Sequence, residues 1–202
     1  MAYYFVTESV PFKSKDSLKN AAETFRTSNQ EIIFPVDIEA ICDKISVNII
    51  PIDNLANLLS GIDAFITSDF KNIYVDGKGY DKNSARYRFS VAHELGHLIL
   101  HKKYYPYGIT NFESYLKLAP RIRNERPEFQ ANYFAANLLA PDKEISEILC
   151  EYLGEDPEGN FWKVGQEKQA QIIRQLCNKL GISEQTAILR IKDVYPKIFD
   201  SF

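Results

Sequence analysis

Cysteine, methionine, tryptophan and histidine are all scarce in this 202-residue chain, and so are long apolar runs and any large excess of one charge. The three cysteines, Cys42, Cys150 and Cys177, are odd in number, far apart and form no Cys-x-x-Cys pair. Neither a disulfide framework nor a thiolate zinc site is expected, and buried, reduced thiols are. No apolar run approaches the roughly 20 residues that a membrane-spanning helix requires. Residues 1–15 lack a basic start followed by an uninterrupted apolar stretch, so no secretory signal is expected and the chain reads as cytoplasmic. A net charge of −3 gives no global electrostatic case for binding nucleic acid or an anionic membrane. What remains is an ordinary soluble composition, 45% hydrophobic and 25% charged. It suffices for one large domain, or for one domain with a small appendage.

Along the chain, residues 1–30 are mixed polar and aromatic and carry no clear structural pattern. A short helix is expected over 35–44, with Pro35 in its first turn and Ile38, Ile41 and Ile45 facing a core. Residues 46–50 read as a β-branched strand stopped by Pro51. Two more strands are expected within 61–67 and 71–76, joined by a polar turn at Ser68 and Asp69 and ended by Gly77 and Gly79. A long helix follows over about 83–102, capped by Asn83 or Ser84, with Phe89, Ala92, Leu95, Gly96 and Ile99 at helical steps. The aromatic and basic connection after it is long for a plain loop, so a short helix is expected near 112–118. A second strong helix runs from Pro127 to just before Pro141. Beyond it lie a helical stretch, a glycine-rich break near 154–165 and two final helices hinged at Gly181.

All three histidines sit in one row, His93-Glu94-Leu95-Gly96-His97-Leu98-Ile99-Leu100-His101. Residues four apart on an α-helix differ by about 40° in direction and about 6 Å in height. The His93 and His97 imidazoles can therefore converge on one ion at about 2.0–2.1 Å each. Glu94 is rotated by about 100° from His93, too far round to be an easy ligand but able to act as base toward a water that zinc activates. A shuffled chain would show this pattern roughly three times in a thousand. Gly96 adds to it, because glycine costs a helix about 1 kcal/mol against alanine and implies a very close neighbour. His101, about 12 Å along the helix from His93, reads as a packing or supporting residue and not a ligand.

A catalytic zinc site needs a third protein donor and leaves a fourth position for water. With no further histidine, a carboxylate on another helix is the natural source. Glu128 shares a helical face with Ala131, Asn132, Ala135 and Leu139, small enough for the most part to let that helix approach closely. Glu125 is the reserve.

The segments Arg86-Tyr-Arg-Phe-Ser-Val-Ala-His93-Glu-Leu-Gly-His97-Leu-Ile-Leu-His101 and Glu128-Phe-Gln-Ala-Asn-Tyr-Phe-Ala-Ala-Asn-Leu-Leu-Ala-Pro141 resemble the ImmA/IrrE family of metallo-endopeptidases. The likeness covers roughly residues 31–195, with Ala140 standing where the family commonly has methionine. It implies an α+β, zincin-like fold, zinc held by His93, His97 and Glu128, Glu94 as catalytic base, and a substrate of the helix-turn-helix repressor or antitoxin type.

The expected organisation is an N-terminal segment of unclear structure at 1–30, a zincin-like metallopeptidase domain at 31–145 and a C-terminal helical region at 146–202. Residues 176–191 look like a helix-turn-helix. Its second helix offers Glu184, Gln185, Thr186, Arg190 and Lys192 but no basic stripe, so a structural hairpin is favoured and DNA binding is not expected. Lys117, Arg121, Arg123 and Arg126 form a basic cluster that could rim the site, and Tyr104, Tyr105 and Tyr107 are candidates to stabilise an oxyanion. Rival readings are a metal-binding sensor without catalysis, and a DNA-binding regulator using the hairpin.

Overall fold

The computed structural model describes residues 10–30, 33–59, 61–82, 84–118 and 125–198, apart from the side chains of Asp81 and Glu125. Helix α1 (Lys15–Ser28) occupies the segment for which the sequence offered no pattern. The Ser14 hydroxyl accepts the Ser17 N–H, and Leu18, Ala22 and Phe25 are buried at helical spacing. Helix α2 (Ile38–Lys44) starts later than expected: the Asp37 carboxylate caps it by accepting the Ala40 N–H at 2.9 Å, and Pro35 lies upstream.

Strand β1 (Asn48–Ile52) runs through Pro51 instead of stopping there. After helix α3 (Leu55–Leu58) come β2 (Ala64–Ile66) and β3 (Asn72–Asp76), antiparallel to each other as the turn between them requires. The sheet order β1-β3-β2, with β1 parallel to β3, makes β1 an edge. An edge strand tolerates proline because an outward position needs no ladder N–H, and Pro51 is exposed. Gly77 and Gly79, expected only to break the strand, open a short helix α4 (Gly77–Asp81).

Helix α5 (Ala85–His101) is capped by Ser84, whose hydroxyl accepts the Tyr87 N–H at 3.2 Å; Asn83 lies outside the described residues. It is followed by α6 (Phe112–Leu118), α7 (Glu125–Leu139), α8 (Asp142–Leu153) and α9 (Pro157–Phe161). The chain closes with α10 (Gln166–Leu180), α11 (Glu184–Val194) and a 3-10 turn at Pro196–Ile198. The architecture is α+β, a three-stranded sheet among many helices. Among the described residues no helix is long and apolar enough to cross a membrane. Cys42 is buried, and burial, then Asp43 and Glu39, push its thiol up to about 12. Cys150 is exposed, contrary to expectation; all three thiols are free.

One apolar cluster joins Ile66, Ile73 and Val75 of the sheet, Val91 and Leu95 of α5 and Phe134 and Leu138 of α7. It continues through Leu149, Ile172, Leu176 and Ile191, so one core serves residues on both sides of position 145. A smaller cluster of Leu55, Leu59, Phe65, Ile109 and Leu118 pins the connection between α5 and α6 against β2. The Ser68 hydroxyl donates to Pro106 O at 2.6 Å and accepts the Ile109 N–H at 2.9 Å, which ties the same connection to the β2–β3 turn.

The α10–α11 hairpin turns at Gly181, whose φ of +63° is left-handed and suits glycine. Arg88 of α5 donates to its carbonyl at 3.2 Å and to Val36 O at 2.5 Å. In α11, Arg190 is 2% exposed and bonds Ala140 O, Asp142 and Asp193. Asp193 also accepts from Lys15 at 2.7 Å and from the Tyr133 hydroxyl at 2.5 Å, joining α1, α7 and α11.

Burial raises the Asp193 and Asp142 carboxyls, but their cationic and hydroxyl partners outweigh it and hold both below the usual range. A depressed native pKa stabilises the fold above the unfolded value, near 4, and the benefit is lost as pH falls through the native value. The melting temperature should therefore be flat near neutrality and fall below about pH 4. Asp193→Asn should cost about 2 kcal/mol at pH 7 and blunt that acid dependence, both readable from thermal melts across pH.

Candidate metal centre

Burial on α5 does not follow hydrophobicity. Glu94, His97 and His101 are buried, at 6%, 7% and 1% exposure, whereas Ile99 is 41% exposed. The helix is rolled so that its histidine face meets α7, the partner it packs against most extensively. Gly96 makes this approach possible. A Cβ there would stand 3.0 Å from the Ala131 Cα and 3.2 Å from its carbonyl oxygen, both backbone atoms that a side-chain rotation cannot move. The close neighbour implied by a glycine inside a helix is thus Ala131, on the small-residue face of α7.

That contact sets the spacing of three donors. His93 Nε2 lies 3.1 Å from His97 Nε2, 3.2 Å from Glu128 Oε2, and His97 Nε2 lies 3.4 Å from Glu128 Oε1. Donors held tetrahedrally at about 2.0–2.1 Å from one ion stand about 3.3–3.4 Å apart, so the three residues fit a single metal. Among the described residues His93, His97 and Glu128 are the cluster able to hold an ion. Burial raises the Glu128 carboxyl, but bonding to the two imidazoles outweighs this and sets it far below the usual carboxylate range. It offers its charge to the cluster as an anion.

Each imidazole is held from behind. His93 Nδ1 is 2.8 Å from Asn132 Oδ1, one turn along α7 from Glu128. His97 Nδ1 is 3.0 Å from His101 Nδ1, and His101 Nε2 is 3.0 Å from Gln130 Oε1. The Gln130 amide donates to Pro11 O at 2.8 Å, and Arg126 donates to Val10 O at 3.0 Å, so residues 10–11 are bound along α7. His101 accordingly supports the cluster without joining it.

Glu94 is buried. Burial pushes its carboxyl up, partly offset by His93, His97 and the Ile66 N–H. The pairing of Phe65 with Tyr74 and the bond from Thr67 N to Asn72 O turn alternate residues of β2 toward β3. The backbone N–H and C=O of Ile66 therefore point away from β3, and the carbonyl accepts the Tyr105 hydroxyl at 2.9 Å. Tyr105 stacks edge-on to His97 at 5.7 Å. Of the three tyrosines considered from sequence, it alone meets the cluster's rings; Tyr107 is exposed. Sequence reasoning missed Tyr115, which stacks on Phe65 at 4.1 Å and whose hydroxyl is raised by burial and by the Glu94 and Glu128 charges. Tyr115 lies on the short helix α6, whose expected helicity did not indicate which of its residues would meet the site. The Glu125 side chain, Arg121 and Arg123 lie outside the described residues.

Residues 42–192 match the family described as the IrrE N-terminal-like domain, a peptidase family. A 69-residue stretch is 35% identical to the metallopeptidase ImmA of Bacillus subtilis (strain 168), covering 34% of this chain and 37% of that protein. The match thus spans little more than a third of that relative's length. Among solved structures, a Mycobacterium tuberculosis transcriptional regulator superposes with a TM-score of 0.54 at 18% identity. The superposition covers 87% of this chain and 55% of that one, a likeness of fold.

If the Gly96–Ala131 approach sets donor spacing, Gly96→Val should harm both fold and metal binding. Overpacking against backbone should cost about 2 kcal/mol or more of stability. Metal affinity, measured by chelator competition on the folded fraction, should fall at the same time.

Proposed function

The chain belongs to the IrrE N-terminal-like domain family, and on that premise we propose that it is a zinc-dependent endopeptidase using Glu94 as general base. The observation that carries this reading is the convergence of His93, His97 and Glu128 donor atoms beside the enclosed Glu94 carboxylate. Zinc held by these residues would lower the pKa of water toward about 7 and polarise the scissile carbonyl. A set of three protein donors leaves a position open, as catalytic zinc sites do and structural ones do not.

The chain's own groups account for the proton movements. The Glu94 carboxylate accepts the proton of the attacking water as the C–O bond forms. It then returns that proton to the departing amide nitrogen as the C–N bond breaks. Asn132 and His101 hold the two imidazoles in register. The Tyr105 hydroxyl already donates to Ile66 O, which makes Tyr115 the more available hydroxyl for an oxyanion. The outer edge of β2 suits an extended substrate strand at Ala64, since Ile66 is engaged by Glu94 and Tyr105.

The substrate we propose is a helix-turn-helix repressor or antitoxin-type regulator cut in an exposed linker, acted on in the cytoplasm. This rests on the family resemblance. The α10–α11 hairpin supports the fold instead of reading DNA, because Arg190 and Thr186 are buried. Restraint comes from substrate choice more than from a mobile lid, as the described part of the α5–α6 connection is anchored through Ser68, Ile109 and Leu118.

Metal content separates the roles. The purified protein should carry about one zinc per chain. His93→Ala, His97→Ala and Glu128→Ala should lose it, while Glu125→Ala should keep it. Glu94→Gln should retain zinc and abolish cleavage; cleavage at the normal rate by that variant would refute the mechanism. Denatured casein should be cut sparsely and a true regulator partner at one or two sites. Rapid digestion of casein to small peptides would exclude the restrained-regulator reading while leaving the metallopeptidase intact.

A further inference from the structure

The hydrogen bonds behind His97 have only one consistent direction. Pro11 O can only accept, so the Gln130 group facing it at 2.8 Å is the amide NH2. The opposite end of that amide, Oε1, can likewise only accept, and it faces His101 Nε2 at 3.0 Å. His101 must therefore carry its proton on Nε2. His101 is 1% exposed and has no carboxylate at either ring nitrogen, so a second proton would leave a buried cation without a counter-ion. Its Nδ1 is then a bare acceptor, 3.0 Å from His97 Nδ1, which must be the donor. The lone pair of His97 is consequently on Nε2, the atom that faces His93 and Glu128.

We infer that His101 and Gln130 are positioning residues that fix the metal-binding tautomer of His97, with the main-chain carbonyl of Pro11 setting the direction of the whole chain. Ligating histidines generally donate their second nitrogen to a carboxylate, a carbonyl or water, and here a second imidazole takes that place. A reversed Gln130 amide would present NH2 to His101. His101 would then protonate Nδ1, His97 would be driven to carry its proton on Nε2, and the ligand atom would be blocked. The segment at residues 10–11, remote in sequence from the α5 motif, is thus part of what prepares the site. It is held in place by Gln130 and by Arg126. This inference rests on the reading that His97 binds the metal.

The test uses the full chain with nitrogen-15-labelled histidine, and reads tautomers by long-range proton–nitrogen correlation together with zinc affinity by chelator competition. In the wild type, His101 should show the Nε2–H form and His97 the Nδ1–H form. Gln130→Met keeps the side chain's length but removes its acceptor and donor. It should lose the fixed His101 form and bind zinc about 10–100-fold more weakly, still at one per chain. His101→Phe, which keeps an aromatic ring but deprives His97 Nδ1 of its acceptor, should weaken zinc binding by a similar factor. Zinc affinity within twofold of wild type in both variants would overturn the inference, as would an Nδ1–H or doubly protonated His101 in the wild type. A wild type that bound no zinc would instead remove the proposed function. The tautomer spectrum would still decide this inference, as it would if either variant failed to fold.

Discussion

With glycine at position 96, the backbone of α5 lies directly against Ala131 of α7, and the geometry of the site is scaled by that approach. His93 and His97 are on one helix and Glu128 on the other, so donor spacing depends on the distance between two helix axes. Interiors pack at near-crystalline density, and a single extra methyl at such a contact must be absorbed by moving backbone. The small residues of α7 are therefore part of the coordination chemistry although none of them bears a ligand atom.

The second consequence is that α5 buries polar groups where a helix of this kind would normally bury leucine and isoleucine. A buried polar group left unpaired costs roughly 1–3 kcal/mol, so such a face persists only if every member is satisfied. Here the partners come from across the fold. Ile66 supplies an N–H to Glu94, Asn132 faces His93, and Gln130 with Pro11 completes the row behind His97 and His101. The enclosure also raises the basicity of Glu94, a property suited to a group that must first take and then return a proton.

Sequence carried the local parts of this arrangement. The histidine spacing, the Ser84 cap, the α6 helix and the antiparallel β2–β3 turn are all written in residues close to one another. Glu128 was reachable by a chemical requirement, the need for a third donor, combined with helical angle. What escaped was tertiary. Ile99 falls at helical steps with Ala92 and Leu95, but the helix is rolled to bury its histidines, and the aliphatic residue is left outside. The rule that proline stops a strand fails at Pro51, because β1 is an edge. Helix α1 has its Ser14 cap and its buried Leu18, Ala22 and Phe25 set in a polar background, so no clear pattern stands out in the sequence. The Pro11–Gln130–His101 row joins positions more than a hundred residues apart and leaves no periodic trace.

X-ray absorption at the zinc edge of the loaded protein addresses the central claim most directly, since it counts the donors without reference to activity. The account requires four light-atom neighbours, two of them imidazoles at about 2.0–2.1 Å, with a carboxylate oxygen and one further oxygen at similar range. A third imidazole, which would bring His101 onto the metal, or a sulfur neighbour at about 2.3 Å would contradict it.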